Sequence, residues 1–236
     1  MFVELHARSA FSFLRGASQP EELVQVAASL NQPAIAVLDR DGVYGSVRQH
    51  LAAKKLGLQA HAGAEVTCTD GSVYPLLCET RKGYQNLCRL ITRMKMRAAK
   101  GEGAATPEEI AEFAEGLVCL AGTNGSPSLE TAVLIFGKEN VFAELQRHLC
   151  REEEARNQHV AELAGRLGVP LLATNGASCA HPEQRQILDV FTCIREHTTI
   201  ADAGRLLSRN SERCLKSYAE MDRLFADFPH AVRNTT

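Results

Sequence analysis

The chain contains no tryptophan, no C-x-x-C pair and no apolar run near the roughly 20 residues that a membrane-spanning helix needs. Net charge is also scarce: 26 Lys and Arg against 28 Asp and Glu leave −2, so the chain as a whole is no nucleic-acid polycation. These absences exclude a membrane partner and a generally basic binding surface. His6 and Arg8 arrive too early for the apolar centre of a signal peptide. The eight cysteines, at 68, 78, 88, 119, 150, 179, 193 and 214, are scattered. They read as reduced thiols of a cytoplasmic protein rather than as a disulfide framework or a zinc site. No internal repeat or low-complexity linker divides the 236 residues, which predicts a single domain.

What is present is a run of alternating strand and helix signals. The apolar start Met1-Phe2-Val3 leads into Glu4-Leu5-His6-Ala7-Arg8-Ser9, which delivers polar groups into a turn. A helix is predicted over Gln19–Leu30, from the Pro20 start and the stripe Leu23, Val24, Ala27 and Leu30. Pro33–Leu38 is continuously apolar, as in a strand buried on both faces, and turns at Asp39-Arg40-Asp41-Gly42. Further elements are expected as a helix over Tyr44–Leu56, a strand over Gln59–Thr67 and a turn at Asp70-Gly71 into a strand over Val73–Cys78. A helix over Gly83–Ala99 follows, then a capped start at Thr106-Pro107-Glu108-Glu109 and a strand over Gly116–Ala121. Asn140–Gly168 reads as long and helical with a break near Arg147–Arg151; Val169–Thr174 reads as a strand and Pro182–Ile194 as helical. Such alternation favours a mostly parallel α/β architecture with its chemistry at the strand C-termini, and leaves open sheet and closed barrel as alternatives.

The stretch Leu5-His6-Ala7-Arg8-Ser9-Ala10-Phe11-Ser12-Phe13-Leu14-Arg15-Gly16 resembles the first motif of the PHP (polymerase and histidinol phosphatase) domain found at the N-terminus of bacterial family C DNA polymerases. That motif runs L-H-x-H-S-x-[FY]-S-x-L-D-G. The wording around Phe11-Ser12-Phe13-Leu14 and Pro20-Glu21-Glu22-Leu23 is most similar to the error-prone, translesion branch of these DNA polymerase III alpha subunit-like enzymes. The likeness continues through Leu38-Asp39-Arg40-Asp41-Gly42-Val43-Tyr44-Gly45, Gly63-Ala64-Glu65, Gly83–Ile91, Ala173-Thr174-Asn175-Gly176-Ala177-Ser178 and Asp189–Arg195. The resemblance implies a distorted (β/α)7 barrel over about residues 1–195 with a helical extension over about 196–236. It implies that thumb, palm and fingers are absent from this chain. It further implies partners in the remaining polymerase domains, with DNA and accessory polymerase proteins met through the full-length protein.

The departures from the motifs fall mainly on positions where the resemblance implies metal ligands. His6 and Glu65 remain as metal positions; Arg8 and Arg40 stand for histidines, Arg15 and Gly176 for aspartates, and Ser178 for a histidine. Thr123 follows the strand where many replicative versions carry a cysteine ligand. A guanidinium offers only donors and cannot ligate. At about 5 Å it would repel a divalent ion by roughly 6 to 7 kcal/mol at an effective dielectric of about 20. The expectation is therefore no cofactor and no catalytic residue. Arg8, Arg15 and Arg40 should instead neutralise Glu65, Asp39, Asp41 and Glu4 in an ion-pair cluster. The alternative is an active phosphoesterase or 3′-5′ exonuclease using a divalent metal such as zinc or manganese, held by His6, Glu65 and ligands not yet aligned. The basic stretch Arg81, Lys82, Arg89, Arg93, Lys95, Arg97 and Lys100 could face DNA, a neighbouring polymerase module or solvent. Tyr84 is its one aromatic, so single-strand stacking is not supported. No DNA-binding residue is assigned.

Overall fold

The computed structural model describes every residue except Lys100. Seven strands form one sheet in the order of the sequence: β1 (Glu4–Ala7), β2 (Ala34–Arg40), β3 (Gln59–Thr67), β4 (Val73–Cys78), β5 (Leu117–Ala121), β6 (Val141–Leu145) and β7 (Leu171–Ala173). The helices are α1 (Pro20–Ser29), α2 (Ser46–Leu56), α3 (Arg81–Met96), α4 (Pro107–Glu112), α5 (Leu129–Phe136), α6 (Arg151–Leu167), α7 (Arg185–Arg195), α8 (Ile200–Ala203), α9 (Tyr218–Leu224) and α10 (Pro229–Arg233). Four of the six strand pairings are parallel; β4 runs against both neighbours. The expected seven-stranded α/β barrel type is present, as a half-barrel.

Local chemistry accounts for most of these elements. β2 is buried along nearly its whole length, as its unbroken apolar sequence requires. The hairpin into β4 turns at Gly71, where φ is +88°, and Asp70 Oδ1 accepts from the Ser72 amide at 2.8 Å. α4 starts with a full capping box between Thr106 and Glu109, with Pro107 in the first turn. α6 ends at Gly168 in the left-handed conformation.

One expectation is corrected. Residues 141–145 are not helical: they form β6, between β5 and β7, and the helix starts only at Arg151. Val-Phe-Ala-Glu-Leu is too short a run for periodicity to separate strand from helix. Two flanking strands supply its hydrogen bonds, and tertiary pairing overrides the helix-forming neighbours.

The core falls into two clusters. The larger includes Phe2, Val66, Tyr74, Leu76, Leu87, Leu90 and Phe225, and carries α3 to α6 on the sheet. The smaller places Leu23, Val24 and Ala27 of α1 against Ile35 and Val37 of β2. No ladder joins β7 to β1 among the described residues. That seam is closed instead by Arg8 N to Ala177 O at 2.7 Å and Asn175 N to Glu4 Oε2 at 2.9 Å. The C-terminal extension seals the far side, where Val3 N donates to Thr235 Oγ1 at 3.1 Å.

β5 lies antiparallel to the reversed β4, so six strands point their C-termini to one rim. The packing that holds this arrangement is tight at Gly83 in α3, where a Cβ would lie 1.8 Å from Gly116 O. Gly→Ala inside a helix ordinarily stabilises by about 0.5–1 kcal/mol. Gly83→Ala is expected to do the reverse and lose about 1–3 kcal/mol through overpacking, which urea denaturation of the two proteins would measure.

Candidate functional site

The rim is organised by Glu65, near the end of β3 and almost wholly buried. In the β2–β3 register Arg40 lies directly opposite it. Arg40 Nε donates to Glu65 Oε2 at 3.0 Å. Glu65 Oε1 accepts from three donors: Arg8 Nε at 2.8 Å, Arg8 Nη2, and His6 Nε2 at 2.8 Å. The other imidazole nitrogen, His6 Nδ1, lies 2.7 Å from Glu144 Oε1. An imidazole with a carboxylate at each nitrogen must donate from both, which requires the protonated ring. Burial alone would lower the His6 pKa, but Glu144 and Glu65 overcome it and raise it from 6.5 to about 9. Burial likewise opposes ionisation of Glu65, yet Arg8 and His6 hold its carboxyl well below the usual range.

Glu144, at the fourth position of β6, is a site residue that sequence reasoning missed. The helix expected over residues 140–168 hides it, and the only mark it carries is being the lone acid in an apolar run. Its Oε1 also accepts from Gln146 Nε2 at 2.9 Å and from Thr174 Oγ1. Its Oε2, although buried, has no partner among the described residues. Burial opposes its charge, and His6 then lowers its pKa.

The other expected members of the cluster lie elsewhere. Asp39 is buried but pairs with no arginine: Oδ1 accepts from Ser9 N at 2.8 Å and Ser12 Oγ at 2.7 Å, and Oδ2 from Ser9 Oγ at 2.7 Å. Hydroxyls and an amide already satisfy it, so no cation is needed there. Asp41 accepts from Thr67 N at 2.7 Å. Glu4 accepts from the His6 and Asn175 amides at 3.0 and 2.9 Å. Burial pushes Glu4 up to about 7, against those two hydrogen bonds. Arg15 is the clearest correction: its amide donates to Ser12 O at 2.7 Å, but its guanidinium forms no hydrogen bond or ion pair with any described residue. Loss of hydration, and then the charges of Arg40 and Arg195, lower its pKa. Ser178 Oγ lies 3.4 Å from Arg8 Nη1, and Thr123 lines a small cleft with Asn124 and Arg156 that shares Arg8 and Arg213 with the rim. On the basic helix, Arg93 and Arg97 are tied to Glu112 and Glu109 of α4; Lys100 lies outside the described residues. All eight cysteines are free thiols.

The donor set does not fit a resident metal. Both His6 nitrogens and both Glu65 oxygens are already engaged. The thiol of Cys119, near Glu144, is kept protonated first by burial and then by that carboxylate. A Cβ on Gly176 would lie 2.6 Å from Gln146 Nε2, so Gln146 fills the space a side chain there would use. Among the described residues no three His, Cys, Asp or Glu are arranged around a metal position. The single orphaned oxygen of Glu144 cannot hold one.

The PHP domain family matches residues 4–130, more than half of the chain. The chain belongs to the PHP domain family. It is similar over its whole length, at 37% identity, to error-prone DNA polymerase 1 of Rhizobium meliloti, and at 40% over 98% of its length to the error-prone DNA polymerase of Anaeromyxobacter sp. strain K. It spans only 22% of the length of either relative. Among solved structures, a Bifidobacterium adolescentis protein inferred to be a metal-dependent phosphoesterase superposes with a TM-score of 0.54 at 13% identity, over 74% of this chain and 86% of that one. At that identity the likeness shows the fold alone. Among the described residues of this PHP domain, no helix is long and apolar enough to cross a membrane.

Two outcomes follow for the PHP rim. Removing one partner of a buried charge network leaves the others uncompensated. Glu65→Ala should therefore cost about 3–5 kcal/mol of unfolding free energy with chelator present throughout. Unchanged denaturation would show the cluster to be idle. The raised His6 pKa favours the folded state fully below about 6.5, and this contribution is lost as pH climbs through about 9. The stability gap between the unaltered chain and His6→Gln should thus be widest near pH 6 and shrink by pH 9.5, as paired denaturation curves at the two pH values would show.

Proposed function

We propose that this chain is the PHP domain of an error-prone DNA polymerase, that it has lost metal-dependent phosphoesterase activity, and that it serves as a scaffold for the rest of that enzyme. The observation that carries the loss is the grip of Arg8, Arg40 and His6 on Glu65. A metal-dependent phosphoesterase uses its ions to generate hydroxide and to clamp a phosphate. Here fixed cations already neutralise the carboxylate that would share in holding such ions, and they also lock the ends of β1, β2, β3 and β6 together.

The scaffold part rests on the length and names of the relatives. They are polymerases about five times as long as this chain, and similarity runs across nearly all of it. In this reading nucleotidyl transfer, translesion synthesis and DNA contact belong to domains beyond these residues. The nearest partners are those domains, with accessory polymerase proteins joining through them in the cytoplasm.

The test is an assay of the purified chain with an aryl phosphate and added zinc or manganese. The expected rate is no higher than that of Glu65→Ala under the same conditions. Metal-stimulated turnover abolished by Glu65→Ala would overturn the loss of activity and restore the hydrolytic reading.

A further inference from the structure

Beside the Glu65 cluster the rim opens into a cavity of about 270 Å3 lined by five arginines, Arg8, Arg15, Arg40, Arg195 and Arg213. Two serines and a threonine add hydroxyls to its wall, and no acidic side chain lines it. The arginines come from distant parts of the chain: the turn after β1, the last residue of β2, the end of α7, and the extension before α9.

Their existing partners do not balance them. Arg8 and Arg40 share Glu65. Arg195 donates Nη1 to Leu14 O at 2.8 Å and Nε to Glu196 Oε1 at 2.9 Å. Arg213 has only distant contacts, 3.4 Å to Gln146 Oε1 and 3.6 Å to Glu153 Oε1. Glu153 is already bonded to the His148 amide and ring at 2.6 and 2.7 Å. The Arg15 guanidinium has no hydrogen-bond or ion-pair partner among the described residues. Five guanidiniums therefore share three carboxylates, an excess of two positive charges around one cavity.

We propose that this cavity is a metal-independent binding site for the phosphate group of a phosphomonoester. The charge excess matches a dianion, and guanidinium forks match the oxygens of a tetrahedral phosphate. A phosphomonoester carries close to two negative charges at neutral pH. The volume lies just below the roughly 300–1,000 Å3 of pockets for drug-sized ligands; it suits a phosphate and the sugar attached to it. Without an anion the guanidiniums repel one another. In keeping with this, burial and then Arg8 lower the pKa of Arg213, as burial and then Arg40 and Arg195 do for Arg15. The free nucleotide and the phosphorylated end of a strand present the same group to the site. The site is independent of the scaffold reading: turnover of an aryl phosphate would end that reading and leave this cavity as it is.

The experiment is titration calorimetry of the full chain in chelator at fixed ionic strength, with inorganic phosphate as the first probe. Saturable binding of one phosphate per chain is expected, weakened at least tenfold in Arg15→Gln and in Arg195→Gln. The exposed Arg15 guanidinium has no hydrogen bond or ion pair to lose among the described residues, so its variant should melt like the unaltered chain, and that melt is run alongside. No saturable binding in chelator, or equal affinity in both variants, would overturn the proposal. Thymidine 5′-monophosphate and a short oligonucleotide with and without a 5′-phosphate then separate the sources. Tighter binding of the nucleotide supports a free nucleotide, and tighter binding of the phosphorylated strand supports a strand end. Equal binding of the two strands together with no binding of the nucleotide would overturn the phosphomonoester assignment.

Discussion

A carboxylate sealed inside a protein is tolerable only where cations and donors replace the water it has lost. Glu65 meets that condition with three residues, each from a strand end or the turn beyond one: His6 on β1, Arg8 just after it, and Arg40 on β2. Because His6 also reaches Glu144 on β6, one imidazolium links the two halves of the sheet. Remove the charge on Glu65 and three cations face one another; remove His6 and two carboxylates do. The geometry of the rim depends on that mutual need.

The same need explains the backbone around it. β7 and β1 have no ladder between them, so the seam relies on side chains and single amide bonds. Glu4 takes amides from both sides of the gap, and Gln32 accepts from Glu4 N and donates to Lys216 O, each at 3.0 Å. Polar burial is thus concentrated where the sheet is unfinished. An apolar seam would leave backbone groups of β1 and the segment after β7 without partners. The extension, including Thr235 and the strand-like contact of Cys179 with Cys214, continues the closure.

Charge is distributed by burial rather than by composition. Net charge is close to zero over the chain, yet one cavity collects five arginines and no acid. Asp39, which lies close by in sequence, is withdrawn from that cavity by two serines and an amide. Glu112 and Glu109 are occupied on another surface by Arg93 of α3 and by Arg97 just after it. The acids that could neutralise the cavity are held elsewhere by shorter, local hydrogen bonds.

Much of the fold was legible in the residues. The unbroken apolar run of β2, the Asp70-Gly71 turn, the capping box at Thr106 and the helical stripe of α1 each follow from local chemistry, and each is found in place. The family motifs marked His6, Glu65, Arg8 and Arg40 as one site, and these four do meet. What the residues alone could not determine was everything that depends on pairing across long separations. β6 became a strand because β5 and β7 flank it, and only that placement brought Glu144 to His6, 138 positions away. Asp39 and Arg15 sit in the same motifs as the cluster, but competing donors took the carboxylate and no described acceptor reached the guanidinium. Local sequence determines which backbone shapes are cheap and which side chains carry charge. Which charges share a buried space is decided by the packed sheet, because burial makes each pairing exclusive.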